Sequence, residues 1–181
     1  MSINNTHNKQ KLDPSKLQFS YFNPSIDDFS KLDFTKDNLD PLEVDKFIHN
    51  DPFEYVNNHV SKIYSVTYDG KLVGFFTLSM SHIKMKDLNS DDQLNQITFT
   101  DYPSLLLGQM GVEKNSRGLD IGVYIIKFCR GIGQLINEKI ACAFLILRTT
   151  NTLAEKYYEC YCDLQWIKSN KPKVWMYKKL F

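Results

Sequence analysis

Leu105-Leu106-Leu107-Gly108-Gln109-Met110-Gly111-Val112 is an apolar run without room for a helix, and the polar turn Glu113-Lys114-Asn115-Ser116-Arg117-Gly118 closes it. An uninterrupted apolar stretch of this kind is what a strand buried on both faces requires. Beyond the turn, Ile121, Ile125, Phe128, Ile132, Leu135 and Ile136 recur at spacings of 4, 3, 4, 3 and 1. That is the stripe of a helix about five turns long. Cys142-Ala143-Phe144-Leu145-Ile146-Leu147 then reads as a second buried strand. Strand, helix and strand in this order predict a parallel pair joined by a right-handed crossover. A rival register would put the turn at Arg130-Gly131-Ile132-Gly133, but it cuts the helical stripe in half. The earlier turn fits better, and Gly131 and Gly133 then read as sites of close helix–sheet packing, each costing roughly 1 kcal/mol in helix propensity.

Working outward, Ile63-Tyr64-Ser65-Val66-Thr67-Tyr68, Asp69-Gly70 and Leu72-Val73-Gly74-Phe75-Phe76-Thr77-Leu78 predict an antiparallel hairpin around a two-residue turn. Upstream, Asp40-Pro41-Leu42-Glu43 and Asp51-Pro52-Phe53-Glu54 each offer Asp as N-cap, Pro at the first helical position and Glu three residues after the cap. Val44, Phe47 and Ile48 supply an apolar stripe for the first helix, Val56 and Val60 for the second. Residues 84–98 are polar and read as a loop. Downstream, Leu153 to Tyr161 reads as a short helix and Val174-Trp175-Met176-Tyr177 as a last strand. Residues 1–17 carry few apolar side chains and read as a flexible tail, leaving 18–181 as the domain.

Composition narrows the function classes. Of the 181 residues, 43% are hydrophobic and 24% charged, as in ordinary globular domains. No apolar run reaches the roughly 18–20 residues of a membrane span, and the N-terminus lacks the pattern of a secretion signal; the reading is a cytoplasmic protein. The net charge of +1 hides an asymmetry: residues 1–107 hold 10 basic and 15 acidic side chains, residues 108–181 hold 12 and 6. An anionic ligand is therefore expected on the second half. Cys129, Cys142, Cys160 and Cys162 form no Cys-x-x-Cys pair, and no His follows His82. Reduced core thiols, with no metal centre, are the expectation.

Arg117-Gly118-Leu119-Asp120-Ile121-Gly122 occupies the junction of buried strand and long helix. A helix N-terminus there presents unpaired N–H groups and partial positive charge, and an arginine can add a bidentate contact to phosphate. The same six residues read equally as a turn joining two core elements.

The order of elements, this turn, and Ala154-Glu155-Lys156-Tyr157-Tyr158 resemble the GCN5-related N-acetyltransferase superfamily over roughly residues 36–181. The superfamily's turn runs Gln/Arg-x-x-Gly-x-Gly/Ala. Arg117 fills its first position and Gly122 its last, while Asp120 replaces the middle glycine; aspartate tolerates left-handed backbone better than most residues. The superfamily's Ala-x-x-Phe-Tyr is met by Ala154, Tyr157 and Tyr158, and its following Gly-Phe is absent from Cys162-Asp163-Leu164-Gln165-Trp166. The hairpin segment from Asp69 to Ser79 and the strand Leu106-Leu107-Gly108-Gln109-Met110-Gly111-Val112 look most like the toxin-like acetyltransferase subgroup.

The resemblance implies an α/β fold: a mixed sheet with an antiparallel N-terminal hairpin, a parallel strand–helix–strand crossover and helices on its faces. It implies acetyl-CoA as donor, with main-chain groups of Met110, Gly111 and Val112 along the pantetheine arm and the amides of Arg117, Gly118, Leu119, Asp120, Ile121 and Gly122 around the pyrophosphate. An acceptor amine would attack the thioester directly, with Tyr158 giving the leaving thiolate its proton. Water or one of His82, Asp101 and Glu113 would take the amine's proton. The acceptor stays open among aminoacyl-tRNA, protein and small molecule, and the subunit arrangement leaves room for a homodimer. The alternative is a non-catalytic CoA- or RNA-binding module. For it, Arg130, Arg148, Lys156, Lys168, Lys171, Lys173, Lys178 and Lys179, with Trp166 and Trp175, would face RNA; solvated lysines are the plainer reading of the same residues.

Overall fold

The computed structural model describes residues 12–50, 52–93, 98–167 and 173–181. Seven strands form one mixed sheet: β1 (Leu17–Tyr21), β2 (Lys62–Tyr68), β3 (Lys71–Lys84), β4 (Asp101–Val112), β5 (Phe144–Thr150), β6 (Gln165–Trp166) and β7 (Lys173–Lys179), in spatial order β1-β2-β3-β4-β5-β7-β6. Every pair is antiparallel except β4–β5. Among the described residues, besides short 3-10 turns, four helices accompany them: α1 (Val44–Asn50), α2 (Pro52–Asn57), α3 (Ile121–Asn137) and α4 over residues 151–162. The parallel pair joined through α3 is the predicted crossover.

Alternation decides which side chains meet which helices. Phe76, Leu105, Leu107, Leu145 and Leu147 lie on the face that α3 covers with Ile121, Ile125, Ile126 and Cys129. Phe75 points the other way, into a cluster with Phe29, Phe34, Val44, Ile48 and Ile63 beneath α1. A third cluster, Ile83, Tyr102, Phe144, Ile146 and Tyr177, lies under the turn around Leu88. That turn is held by two bonds at one hydroxyl: the Asn89 amide donates to Tyr177, which donates to Asp92.

The hairpin forms as expected, with Asp69 and Gly70 both left-handed (φ 51° and 75°) and Tyr68 opposite Lys71. Helix α3 runs unbroken through Arg130-Gly131-Ile132-Gly133, so the rival register is wrong. A Cβ at Gly133 would meet Leu180 at 2.6 Å, whereas one at Gly131 would meet nothing within 4 Å. The close-packing expectation thus holds for Gly133 and fails for Gly131. Cys129, Cys142 and Cys162 are buried core thiols; Cys160 is exposed.

Other expectations shift. Residues 12–17, read from composition as tail, carry a buried Leu12, a turn capped by Asp13 and the start of β1. The alternation of Leu17, Phe19 and Tyr21 was the missed signal, and Phe19 packs on Phe76 and Phe128. β4 begins at Asp101, and β3 runs on to Lys84 beside it. Asp40 is not one residue before a helix. Glu43 takes a left-handed conformation (φ 57°), and α1 starts at Val44. Asp40 caps it across this kink, accepting from the Val44 amide at 2.7 Å and the Lys46 amide at 3.0 Å. Asp51 lies outside the described residues. α2 ends at Asn57, which leaves Val60 exposed rather than on its stripe.

Candidate active site

The sheet opens at its centre, and a bulge is the cause. β3 and β4 keep register up to Leu78↔Leu107 and resume at Phe76↔Met110, so Thr77 alone stands opposite Gly108 and Gln109. The Thr77 hydroxyl accepts from the Gln109 amide at 2.9 Å. Glycine is required at 108 because a Cβ there would lie 2.9 Å from that hydroxyl. Extra residues of this kind bend and twist a strand. On its other side β4 pairs with β5 only from Ser104↔Phe144 to Leu107↔Leu147, and beyond Leu107 no described strand covers that edge. Met110, Gly111 and Val112 therefore run beyond the reach of β5, where the Val112 carbonyl is taken by Arg117.

A cavity of about 280 Å³ fills the opening. Its lining comes from four places: Leu42, Glu43 and Val44 before and at the start of α1; Leu106 to Met110 of β4; Leu147 and Arg148 of β5 with Lys173 and Trp175 of β7; and Tyr158 of α4. Arg148 and Trp175 are direct cross-strand neighbours. Of the predicted site residues, this cavity unites Met110 and Tyr158.

The turn that precedes α3 lies next to it. Gly118 and Asp120 are left-handed (φ 86° and 58°), and α3 follows at once. The Asp120 carbonyl accepts from Val123 at 2.9 Å and Tyr124 at 3.4 Å. The preceding amides, Gly118 to Gly122, have no hydrogen-bond acceptor among the described residues. A row of free N–H groups at the head of a 17-residue helix is a setting for a phosphate anion. The side chains of Leu119 and Ile121 pack into the core, so these residues offer only main chain. Gly122 lies against the Tyr157 hydroxyl, 2.5 Å from where a Cβ would stand, with the Met110 methyl 3.6 Å from the same point. The strand edge and helix head therefore adjoin.

Arg117 does something other than grip phosphate. Its guanidinium donates to the carbonyls of Val112 (3.1 Å), Thr35 (2.9 Å) and Phe34 (2.8 Å). It ties the turn to the segment that leads into α1, and Lys114 adds an ion pair with Asp33 of that segment. The turn before α3 and the cavity wall are thereby braced as one unit.

Tyr158 owes its place to an irregularity. Residues Ala154–Tyr158 form a π-turn within α4, a feature frequent at functional sites. Tyr158 is 6% exposed and Tyr157 packs beside it with ring centroids 5.2 Å apart. Burial, then the neighbouring Cys162, pushes the Tyr158 hydroxyl well above its ordinary range. It stays protonated at neutral pH, as a proton donor must. Burial first, then Cys162, Tyr158 and Asp120, likewise push Tyr157 up.

The three proposed bases lie elsewhere. His82 pairs with Asp101 at 3.6 Å toward the far end of the β3–β4 ribbon. Glu113 is consumed by the turn, accepting from the amides of Asn115 and Ser116. None lines the cavity. Glu43 and Gln109 do line it, and no local pattern marked them, because only the kink and the bulge bring them there. Among the basic residues grouped from sequence, Arg148 and Lys173 reach the cavity with Trp175. Lys178 pairs with Asp163, and Lys168 and Lys171 lie outside the described residues. Among the described residues no His, Cys, Asp or Glu cluster could hold a metal ion, and no helix is long and apolar enough to cross a membrane.

This architecture, a mixed sheet splayed beside the head of a long helix, is the GCN5-related N-acetyltransferase (GNAT)-like fold seen in the solved structures of AtaT and KacT. A structure of AtaT complexed with acetyl-methionyl-tRNAfMet superposes with a TM-score of 0.75 at 14% identity, covering 90% of this chain and 94% of that one. A tyrosine-to-phenylalanine mutant of KacT gives 0.70 at 17% identity, over 91% and 95%. AtaTR bound with AcCoA gives 0.70 at 15%, over 92% and 95%. No family model matches the chain, and no curated protein matches it in sequence.

Proposed function

We propose that the protein is an acetyl-CoA-dependent N-acetyltransferase acting on a primary amine carried by an anionic acceptor, with the aminoacyl end of a tRNA as the first acceptor to test. The observation that carries this reading is the meeting, at one splay, of a buried protonated tyrosine, a strand edge beyond the reach of β5 and a row of free helix-head amides. The pantetheine arm, a chain of amides, would pair with the edge at Met110, Gly111 and Val112. The diphosphate would lie on the amides of Gly118 to Gly122. Arg117 braces these groups rather than contacting phosphate with its side chain.

The amine nitrogen attacks the thioester carbonyl, forming C–N and breaking C–S. The departing thiolate takes the Tyr158 proton, and the proton lost by nitrogen passes through water to restore the Tyr158 hydroxyl. Arg148 and Lys173 beside the exposed Trp175 supply charge and a stacking plane at the cavity, which supports an anionic acceptor. AtaT, whose structure holds an acetylated aminoacyl-tRNA, supports the same choice.

The test joins binding to turnover. Acetyl-CoA at about 100 times its Kd should stabilise the fold by about 2.7 kcal/mol, read as a rise in Tm. Methionyl-tRNA should then elicit free-thiol release. A Tm that ignores acetyl-CoA overturns the donor site. A Tm rise without thiol release to any amine leaves a CoA-binding module instead.

A further inference from the structure

The cavity's one carboxylate among the described residues is Glu43. Its position is unexpected on three counts. The backbone there is left-handed (φ 57°), a conformation that glycine adopts without strain and glutamate does not; strain of this kind persists where function holds it. Its side chain does not start α1, because Asp40 provides both capping bonds. Its short contact, 2.8 Å to Lys46, joins two side chains exposed to 61% and 64% and contributes little to stability. Local structure thus gives no reason for glutamate at 43. The other charged groups of the lining, Arg148 and Lys173, are cations. Without Glu43, an ammonium entering the cavity would meet positive charge alone.

We infer that Glu43 docks the acceptor: its carboxylate receives the acceptor's ammonium group at the splay lined by Tyr158, and the ammonium gives one proton to water before its nitrogen attacks. The inference rests on the acetyl-transfer reading and adds the residue that recognises the amine. The brace from Arg117 to Phe34 and Thr35, together with the Phe34 amide bonded to Asp45 at 2.9 Å, holds the wall that presents Glu43.

The experiment measures thiol release from acetyl-CoA with methionyl-tRNA, a lysine-containing peptide and spermidine. It uses the wild type, Glu43→Gln, Glu43→Gly and Glu43→Asp, and takes the best of the three acceptors for the variants. For Gln and Gly, the acceptor KM should rise at least about fivefold, while kcat and the acetyl-CoA KM stay within about twofold. Aspartate should recover part of the loss. Glycine should also raise Tm, because it relieves the backbone; a merely structural glutamate would give that gain with no change in acceptor KM. An unchanged acceptor KM in both Gln and Gly sinks the assignment, as does a fall in kcat alone or an equal shift in both KM values. A wild type inactive with all three acceptors removes the acetyl-transfer reading, and this inference with it.

Discussion

Tyr158 and Asp120 show how single residues divide between stability and chemistry. Tyr158 is buried at the cavity wall and its hydroxyl makes no hydrogen bond among the described residues, so it contributes nothing to hold the fold that phenylalanine would not. Tyr158→Phe should therefore leave Tm unchanged or slightly higher. It should lower kcat at least tenfold, in line with losses of about 10²–10⁴ for general acid–base groups, with little effect on the acetyl-CoA KM. A variant with full turnover would remove Tyr158 from the mechanism. Asp120 stands left-handed at the head of α3, exposed, with no capping bond from its side chain. Its charge neighbours the amides proposed for the diphosphate and pushes up both Tyr157 and Cys162. Asp120→Gly should relieve roughly 1 kcal/mol of backbone strain and tighten acetyl-CoA binding. Isothermal titration checks this, and equal affinity would place the diphosphate away from the turn.

At the scale of elements, the strand–turn–helix–strand from 105 to 147 was legible because each piece declares its own period: a continuous apolar run, a helical stripe, then a second run; the start of β4 at Asp101 was not. The hairpin was legible because Asp69-Gly70 fits a turn in which both residues are left-handed. The first helix was misread because a capping box presumes helical backbone at its glutamate, and Glu43 is left-handed instead. The cavity was not legible in full. It depends on the extra residue opposite Thr77, on the π-turn that inserts Tyr158, and on the long-range brace from Arg117 to residues 34 and 35. These are contacts between distant segments, and no local spacing encodes them. Asp40 is where this level can be tested. Its carboxylate holds two amides of a helix only seven residues long, and loss of a cap costs about 1 kcal/mol. Asp40→Ala should lower Tm by roughly 2–4 °C in a chain of this size. The acceptor KM should rise as the Glu43 wall loosens, with acetyl-CoA affinity unchanged. Loss of donor affinity instead would mean that wall and turn move together.

For the whole molecule, the interior is built around acids that stay protonated. Cys162 is pushed from 9.0 to about 11, mainly by burial. Cys129, Tyr64, Tyr157 and Tyr158 are pushed further the same way, each chiefly by desolvation. Because these folded-state values lie above the unfolded ones, the folded chain holds its protons more tightly. The stabilisation is complete below the unfolded values, near pH 9 for the thiols and pH 10 for the tyrosines, and is lost as pH rises through the folded values. The thiols start the decline, since their unfolded values are the lowest, and the Cys162 contribution is the first to be fully lost, at about pH 11. Tm should thus be flat up to about pH 8.5 and decline from about pH 9 upward. Cys162→Ala should lower Tm modestly at neutral pH by removing a buried sulfur, yet make the decline between about pH 9 and 11 shallower. The two effects have opposite signs along one pH series. A Cys162→Ala curve parallel to the wild type across that window would show that the thiol titrates alike in the folded and unfolded states.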